Sequence, residues 1–317
     1  MWMARIWTGF WAAIGYAQVA EPVFVAEGRG QYALRCETPG VVIRYTLGGA
    51  DPGKDAGEYL APIRVPEGRM AKARAFSADG HSQSGVAMLA GDDEGSKGLA
   101  ETLIEVTQNR DWKSYDWTKR HAAVQAAMKE TKPEVIFVGD SITHFFGGVP
   151  VDAVQRGAAV WDQYYGKRKV LNLGYGWDRT ENVLWRLRHG ELEGAEAKVA
   201  VVMIGTNNTG MHTIDEIVAG VDAICGELRG RIPGVKLLLL AIFPRGKTPD
   251  ANRAKIEAIN AKLSGLSGVT YLDIGKAFLE PDGSIAAEVM ADYLHPTAEG
   301  YRRWAEAMEP TLTSLWH

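Results

Sequence analysis

Val135-Ile-Phe-Val-Gly-Asp-Ser-Ile-Thr143 opens with four consecutive apolar residues and ends in a glycine turn that carries a serine. A continuous apolar run suits a strand buried on both faces, as in a parallel sheet. Four more runs follow: Val170-Leu-Asn-Leu173, Val199-Ala-Val-Val-Met-Ile204, Leu237-Leu-Leu-Leu-Ala-Ile242 and Val269-Thr-Tyr-Leu272. Between the third and fourth, Ile214, Ile217, Val218, Val221, Ile224, Cys225 and Leu228 fall at helical spacing. Alternation of such strands with helices predicts an α/β fold, a parallel sheet with right-handed crossovers.

The rhythm is different upstream. From Val23 to about Ala90 the apolar stretches are short and β-like: Gln31-Tyr-Ala-Leu-Arg-Cys36, Val41-Val-Ile-Arg-Tyr-Thr-Leu47, Ala61-Pro-Ile-Arg-Val65 and Met70-Ala-Lys-Ala-Arg-Ala-Phe76. Gly40, Gly48-Gly49, Pro52-Gly53 and Gly80 separate them as turn formers, which predicts a small antiparallel β-sandwich. Gly91-Asp-Asp-Glu-Gly-Ser-Lys-Gly98 contains no apolar residue and reads as a linker. The expected organisation is a sandwich over 21–90, a linker over 91–100 and a larger α/β domain over 101–317. A length of 317 residues with 46% apolar content supports two such cores.

Residues 1–20 carry one charge, Arg5, followed by a moderately apolar stretch and the small residues Gly15 and Ala17. That pattern predicts an export signal and a secreted or periplasmic protein. No run approaches the roughly 20 residues of a membrane span. The balance of 35 basic against 39 acidic residues argues against a nucleic-acid partner. Cys36 and Cys225, one in each domain, build neither a disulfide framework nor a metal cluster and read as buried spectators.

In an open parallel sheet, ligands bind at the C-terminal ends of the strands. After the first run stands Gly139-Asp140-Ser141, where helix N–H groups can face an oxyanion. After the second comes Gly174-Tyr-Gly-Trp-Asp-Arg179, and after the third Gly205-Thr-Asn207, which offers a side-chain amide. Asp292-Tyr-Leu-His295 stands near the C-terminus. Nucleophile, base, orienting carboxylate and donors are thus all present in order. The G-x-S-x-G elbow of α/β-hydrolases is not matched, because Thr143 replaces its last glycine.

These four blocks resemble the GDSL or SGNH hydrolases. The similarity is closest to the platelet-activating-factor acetylhydrolase catalytic-subunit branch, carried by Asn182-Val-Leu-Trp-Arg-Leu-Arg-His-Gly-Glu-Leu192 and Pro244-Arg-Gly246. The resemblance implies a three-layer flavodoxin-like sheet, Ser141 as nucleophile, His295 as general base and Asp292 as its orienting carboxylate. It also implies an oxyanion hole from Ser141 N–H, the second-block backbone at Gly176 or Trp177, and Asn207. Trp177 stands where the family usually has its donor glycine; its N–H remains available, whereas a glycine-only backbone conformation would be lost. Its indole is either a wall of the acyl or sugar site or simple packing.

His144 is expected at the pocket rim, Asp140 as a brace accepting backbone hydrogen bonds, and Asp178 and Arg179 at the start of the next helix, with Arg179 a candidate substrate contact. His121 reads as a helix-surface residue and the Leu184, Trp185, Leu187 set as core. No convincing metal set is present and no cofactor is implied. Ile43-Arg-Tyr-Thr-Leu-Gly-Gly-Ala-Asp-Pro52, Tyr59-Leu-Ala-Pro-Ile63 and Lys72-Ala-Arg-Ala-Phe76 resemble the small immunoglobulin-like domain of chitobiases and other carbohydrate-active enzymes, which implies a spacer or a sugar-binding unit. The expected function is an exported serine esterase that removes acetyl groups from a carbohydrate. A short-chain lipid or aryl-ester hydrolase and a carbohydrate-binding protein with an inactive hydrolase domain are the alternatives.

Overall fold

The computed structural model describes residues 18–28 and 30–317. Most of the expected export signal therefore lies outside the described residues. Val19 is buried and Ala20 N–H donates to Thr38 Oγ1 at 2.9 Å, so the first domain begins ahead of the expected residue 21.

Two antiparallel sheets form that domain. One has the order β1-β2-β5, built from Val23–Gly28, Gln31–Arg35 and Ile63–Arg64. The other has the order β4-β3-β6-β7, built from Gly57–Glu58, Val42–Thr46, Met70–Phe76 and Ala87–Ala90. Tyr32, Leu34, Tyr45, Ile63, Val65, Ala71 and Ala73 form the core. Along β6 alternate residues Ala71, Ala73 and Ala75 are buried, the period of 2 that a half-buried strand requires. Cys225 is buried as expected, but Cys36 is half-buried and donates to Ala20 O.

The five apolar runs form one parallel sheet: β8 (Val135–Gly139), β9 (Val170–Gly174), β10 (Val199–Met203), β11 (Lys236–Leu240) and β12 (Thr270–Leu272). The spatial order β12-β11-β10-β8-β9 is the flavodoxin-like 2-1-3-4-5 arrangement. Its switch point lies between β8 and β10, the place where open sheets of this kind bind ligands. Both faces are covered. Ile136 and Val138 face the layer of α1 (Trp117–Thr131), α4 (Thr180–Arg186), α5 (Ile214–Arg231) and α6 (Ala251–Leu263). Val135 and Phe137 face α3 (Ala158–Tyr165) and α7 (Ala298–Trp316). Between β8 and α3 lies the short α2 (Ser141–His144). His121 departs from the surface reading: it is buried, its Nε2 meets His189 O at 3.1 Å, and it stacks on Trp117.

The expected linker does not run free. Asp93 and Ser96 are buried, Asp93 N–H donates to Val65 O at 3.3 Å and Arg64 Nη1 reaches Asp93 Oδ2 at 3.0 Å. The chain that follows is clamped between the domains. Thr107 N–H donates to Tyr45 Oη at 3.3 Å, Thr107 Oγ1 to Glu58 O at 2.7 Å, and Asn109 Nδ2 to Lys54 O at 2.8 Å. A Cβ on Gly57 would sit 2.5 Å from Thr107 O, so the approach requires glycine. A cavity of about 460 Å³ lies in this junction, with Tyr45, Leu47, Arg110, Arg179 and Met211 among its walls.

Candidate active site

β8 delivers Ser141 to the first turn of α2, and Asp140 caps that helix by accepting Ile142 N–H at 2.9 Å. This is the bracing role expected of Asp140. Burial pushes its carboxyl up to about 7, and Asp140 Oδ2 has no hydrogen-bond partner. As the first helical residue, Ser141 leaves its N–H without an intrahelical acceptor. Ahead of α7, the turn at 292–295 delivers the second half of the site. Ser141 Oγ lies 2.8 Å from His295 Nε2, and His295 Nδ1 lies 2.9 Å from Asp292 Oδ2. The other oxygen, Oδ1, accepts the N–H groups of Leu294 at 3.2 Å and His295 at 2.7 Å.

The electrostatics fix the tautomer. Burial opposes the charge on Asp292, but the backbone and ring N–H groups of His295 outweigh it and hold the carboxyl well below the usual range. An ionised carboxylate only accepts, so the imidazole proton sits on Nδ1 and the Nε2 lone pair faces the serine hydroxyl. Burial lowers the pKa of His295 below its ordinary value, with the cations Arg156 and Arg245 adding to the effect against Asp292. Such a relay can draw the proton from Oγ as it attacks an electrophilic carbon.

The second-block turn follows β9. Arg120 Nε donates to Gly174 O at 2.7 Å; Tyr115 Oη and Gln108 Nε2 donate to Gly176 O at 2.7 and 2.9 Å; Arg110 Nη2 donates to Trp177 O at 2.9 Å. Gly174 N–H donates to Asn172 Oδ1, Tyr175 N–H to Gly139 O and Asp178 N–H to Tyr175 O. Gly176 N–H donates to His144 Nδ1 at 3.1 Å, which corrects its expected place in an oxyanion hole. Trp177 N–H donates to no group among the described residues. The turn thus holds one unspent donor. Trp177 adopts φ +64°, so tryptophan takes a left-handed conformation that favours glycine, contrary to the expected loss of such a backbone. The residue is 51% exposed.

The third block joins this turn directly. Asn207 Nδ2 donates to Asp178 O at 2.9 Å, which leaves its second amide hydrogen free of that contact. Arg179 Nε donates to Asn207 O at 3.2 Å, and its guanidinium faces the Glu181 carboxylate at 3.9 Å. Asp178 does not cap the next helix: it is buried and accepts from Gln108, Trp117 Nε1 and Arg186 Nε. His144 also departs from expectation. It is 3% exposed with both ring nitrogens engaged, so it neither lines the rim nor can bind substrate.

Beside the relay lies a second cavity of about 400 Å³, lined by Arg245, Lys247, Asp250, Tyr293 and His295 among others. Arg156 reaches Asp292 Oδ2 at 3.2 Å. The sequence reading missed Arg156, Arg120, Asp152 and Tyr115; each acts across a gap in sequence that no local pattern bridges. Among the described residues, no group of three or more potential metal ligands occurs, and no helix is long and apolar enough to cross a membrane.

A doubly wound sheet with this serine and histidine at its switch point defines an SGNH-type carboxylic ester hydrolase. Residues 137–303 match the GDSL-like lipase/acylhydrolase family, and the chain belongs to it. Residues 33–88 match the Fn3-associated family. The chain is 34% identical over 203 residues to platelet-activating factor acetylhydrolase IB subunit alpha1 of Homo sapiens, covering 63% of this chain and 84% of that one. The alpha2 subunit of Rattus norvegicus matches with the same identity and coverage. Among solved structures, a GDSL-like lipase from Bacteroides thetaiotaomicron superposes with a TM-score of 0.51 at 17% identity, covering 62% of this chain and 97% of that one.

Proposed function

We propose that this protein is a serine esterase that removes O-acetyl groups from a carbohydrate. The Ser141–His295–Asp292 geometry carries the reading, with hydrogen bonds of 2.8 and 2.9 Å and a neutral base facing the nucleophile. Ser141 Oγ attacks the acetyl carbonyl while His295 Nε2 takes its proton. The tetrahedral oxyanion is held by Ser141 N–H, Trp177 N–H and the free Asn207 amide hydrogen. Collapse expels the sugar alcohol, which takes the proton from His295 and leaves acetyl on Ser141. Water, deprotonated by His295, then releases acetate and restores the hydroxyl.

Acetyl as the acyl group is supported by the 34% identity to subunits named acetylhydrolases. A carbohydrate as the alcohol is supported by the resemblance of the sandwich to the small domains of carbohydrate-active enzymes; its Thr46, Leu47, Gly48, Ala50 and Arg69 line the junction cavity together with Arg179. Export is part of the reading, supported by the lone Arg5 and the apolar stretch after it. The test is acetate release from acetylated xylan, mannan and chitin-derived oligosaccharides, with 4-nitrophenyl acetate as the small ester. Ser141→Ala is expected to lower turnover on every active substrate by about four to six orders of magnitude. Activity on the small ester with no release from any glycan would confine the protein to other esters. Retained activity in Ser141→Ala would remove the serine mechanism.

A further inference from the structure

His144 lies one helical turn beyond Ser141 and has no part in the proton relay, yet it is buried and fully engaged. Its surroundings close into a circuit. Nδ1 accepts Gly176 N–H at 3.1 Å, so the ring proton is on Nε2, which donates to Asp152 Oδ2 at 2.9 Å. The same carboxylate oxygen faces Arg120 Nη1 at 3.4 Å, and Arg120 Nε returns to the turn by donating to Gly174 O at 2.7 Å. Tyr115 packs edge-on to the imidazole, with centroids 5.1 Å apart, while its hydroxyl holds Gly176 O. A Cβ on Gly174 would stand 2.3 Å from His144 N, so helix and turn are in direct contact.

We propose that His144 and Asp152 form a positioning pair that fixes the Gly174–Trp177 turn relative to Ser141 and so aims the Trp177 N–H at the developing oxyanion. The inference rests on the esterase reading above. The nucleophile and this imidazole share one four-residue helix. Any displacement of Ser141 is therefore transmitted through His144 to the turn that must donate with it. Burial favours the neutral imidazole, pushing it down to about 4, while the Asp152 contact opposes that shift; the Nδ1 lone pair stays available to Gly176 at the pH of ester hydrolysis. Asp152 is held down to about 2 by its bond to His144 and remains the acceptor. Removing the acceptor from Gly176 N–H strands a buried donor and loosens the turn on its N–H side, while Arg120, Tyr115, Gln108 and Arg110 still hold its carbonyls.

Two substitutions separate the two ring nitrogens. An asparagine amide occupies roughly the place of Nδ1, and a glutamine amide that of Nε2. His144→Asn keeps an acceptor for Gly176, whereas His144→Gln keeps the donor to Asp152 and abandons Gly176. Each is assayed on 4-nitrophenyl acetate for kcat and KM, with active sites counted by the burst of nitrophenol, and for the rate of inactivation by a nitrophenyl phosphonate, whose tetrahedral adduct needs the same donors. His144→Gln is expected to lower kcat per active site by about 10- to 100-fold, below the loss for deleting a whole oxyanion donor, with KM nearly unchanged and phosphonylation slowed in parallel. His144→Asn is expected to recover most of that loss even where both variants lose the same thermal stability.

Equal kcat per active site in the two variants, or values within about twofold of the native enzyme in both, would reduce His144 to a packing residue. Should neither variant accumulate, Asp152→Ala at the partly exposed end of the pair gives the same reading. A fall in kcat at constant KM supports the proposal, and an unchanged kcat overturns it. Failure of the esterase reading shows separately, as activity surviving in Ser141→Ala.

Discussion

Arg156 Nη1 lies 3.2 Å from Asp292 Oδ2, the same oxygen that engages His295 Nδ1. The guanidinium also stacks over the Phe145 ring, 5.3 Å from its centroid, which holds it in place. A fixed cation here stabilises the Asp292 carboxylate and disfavours a second positive charge on His295. The first effect keeps Asp292 an acceptor for the Nδ1 proton; the second keeps the base neutral against the pull of that carboxylate. With His295 as the base of the proposed mechanism, activity is expected to fall as pH drops through its pKa. That midpoint is expected below the ordinary histidine value of about 6.5. Arg156→Gln removes the cation and should move the acid limb upward, with little change on the alkaline plateau. Profiles of kcat/KM from about pH 4 to pH 9 test this, and a midpoint left in place by the substitution would count against it.

His295→Ala should cost nearly as much turnover as Ser141→Ala, and the double variant should be little worse than either, since the two act as one unit. Asp292→Asn keeps the size of the side chain but can favour the wrong ring tautomer; a loss of about 10^3 to 10^4 in kcat is expected. Additive losses in single-turnover experiments would show that the three residues do not form one relay.

Trp177 offers a backbone test and a side-chain test at one position. Its φ of +64° costs a side-chain-bearing residue roughly 1–2 kcal/mol that glycine does not incur. Trp177→Gly should therefore be more stable than Trp177→Ala, by a margin that chemical denaturation can measure. Both remove the indole, so both should relax any preference for acetyl over butyryl esters, a discrimination of about 1–3 kcal/mol if the indole closes the acyl site. Native rates that are equal on acetyl and octanoyl esters would favour a lipid-ester substrate.

The docked sandwich changes the outlook for truncation. A chain starting near Leu99 would leave Val106 and Thr107 without the sandwich groups they pack against or bond to. Gln108, Arg110 and Tyr115, which hold the second-block turn, follow directly in this stretch. Such a chain should melt at a lower temperature and turn over even the small ester more slowly. Tyr45→Phe, which strands Thr107 N–H, should cost about 1–3 kcal/mol in the full-length protein. Full activity and unchanged melting in the shortened chain would show that the interface contributes nothing to the site.

The sheet was legible because β8, β9 and β10 are buried throughout and β11 beyond Lys236, so they read as largely apolar runs, while the edge strand β12 is only half-buried and gave the weakest run. The blocks at the strand ends were legible because the chemistry calls for particular residue types there. What stayed hidden was set by tertiary contact. His144 looked like a rim residue because nothing nearby in sequence announces that Asp152 and Gly176 enclose it. Arg156 carries no pattern linking it to Asp292, 136 positions away. The polar run after Gly91 suggested a free tether because its partners, Arg64 and Val65, lie on the sandwich.

Thr107 is held by Tyr45 and Glu58 within one stretch of chain that also supplies Gln108 and Tyr115 to the Gly174–Trp177 turn. Shuffling of modules would therefore have to treat this strip as shared property. A hydrolase grafted onto a different companion at the apparent boundary would inherit a strip cut to fit a vanished neighbour, and its Gly174–Trp177 turn would register the mismatch before its serine did.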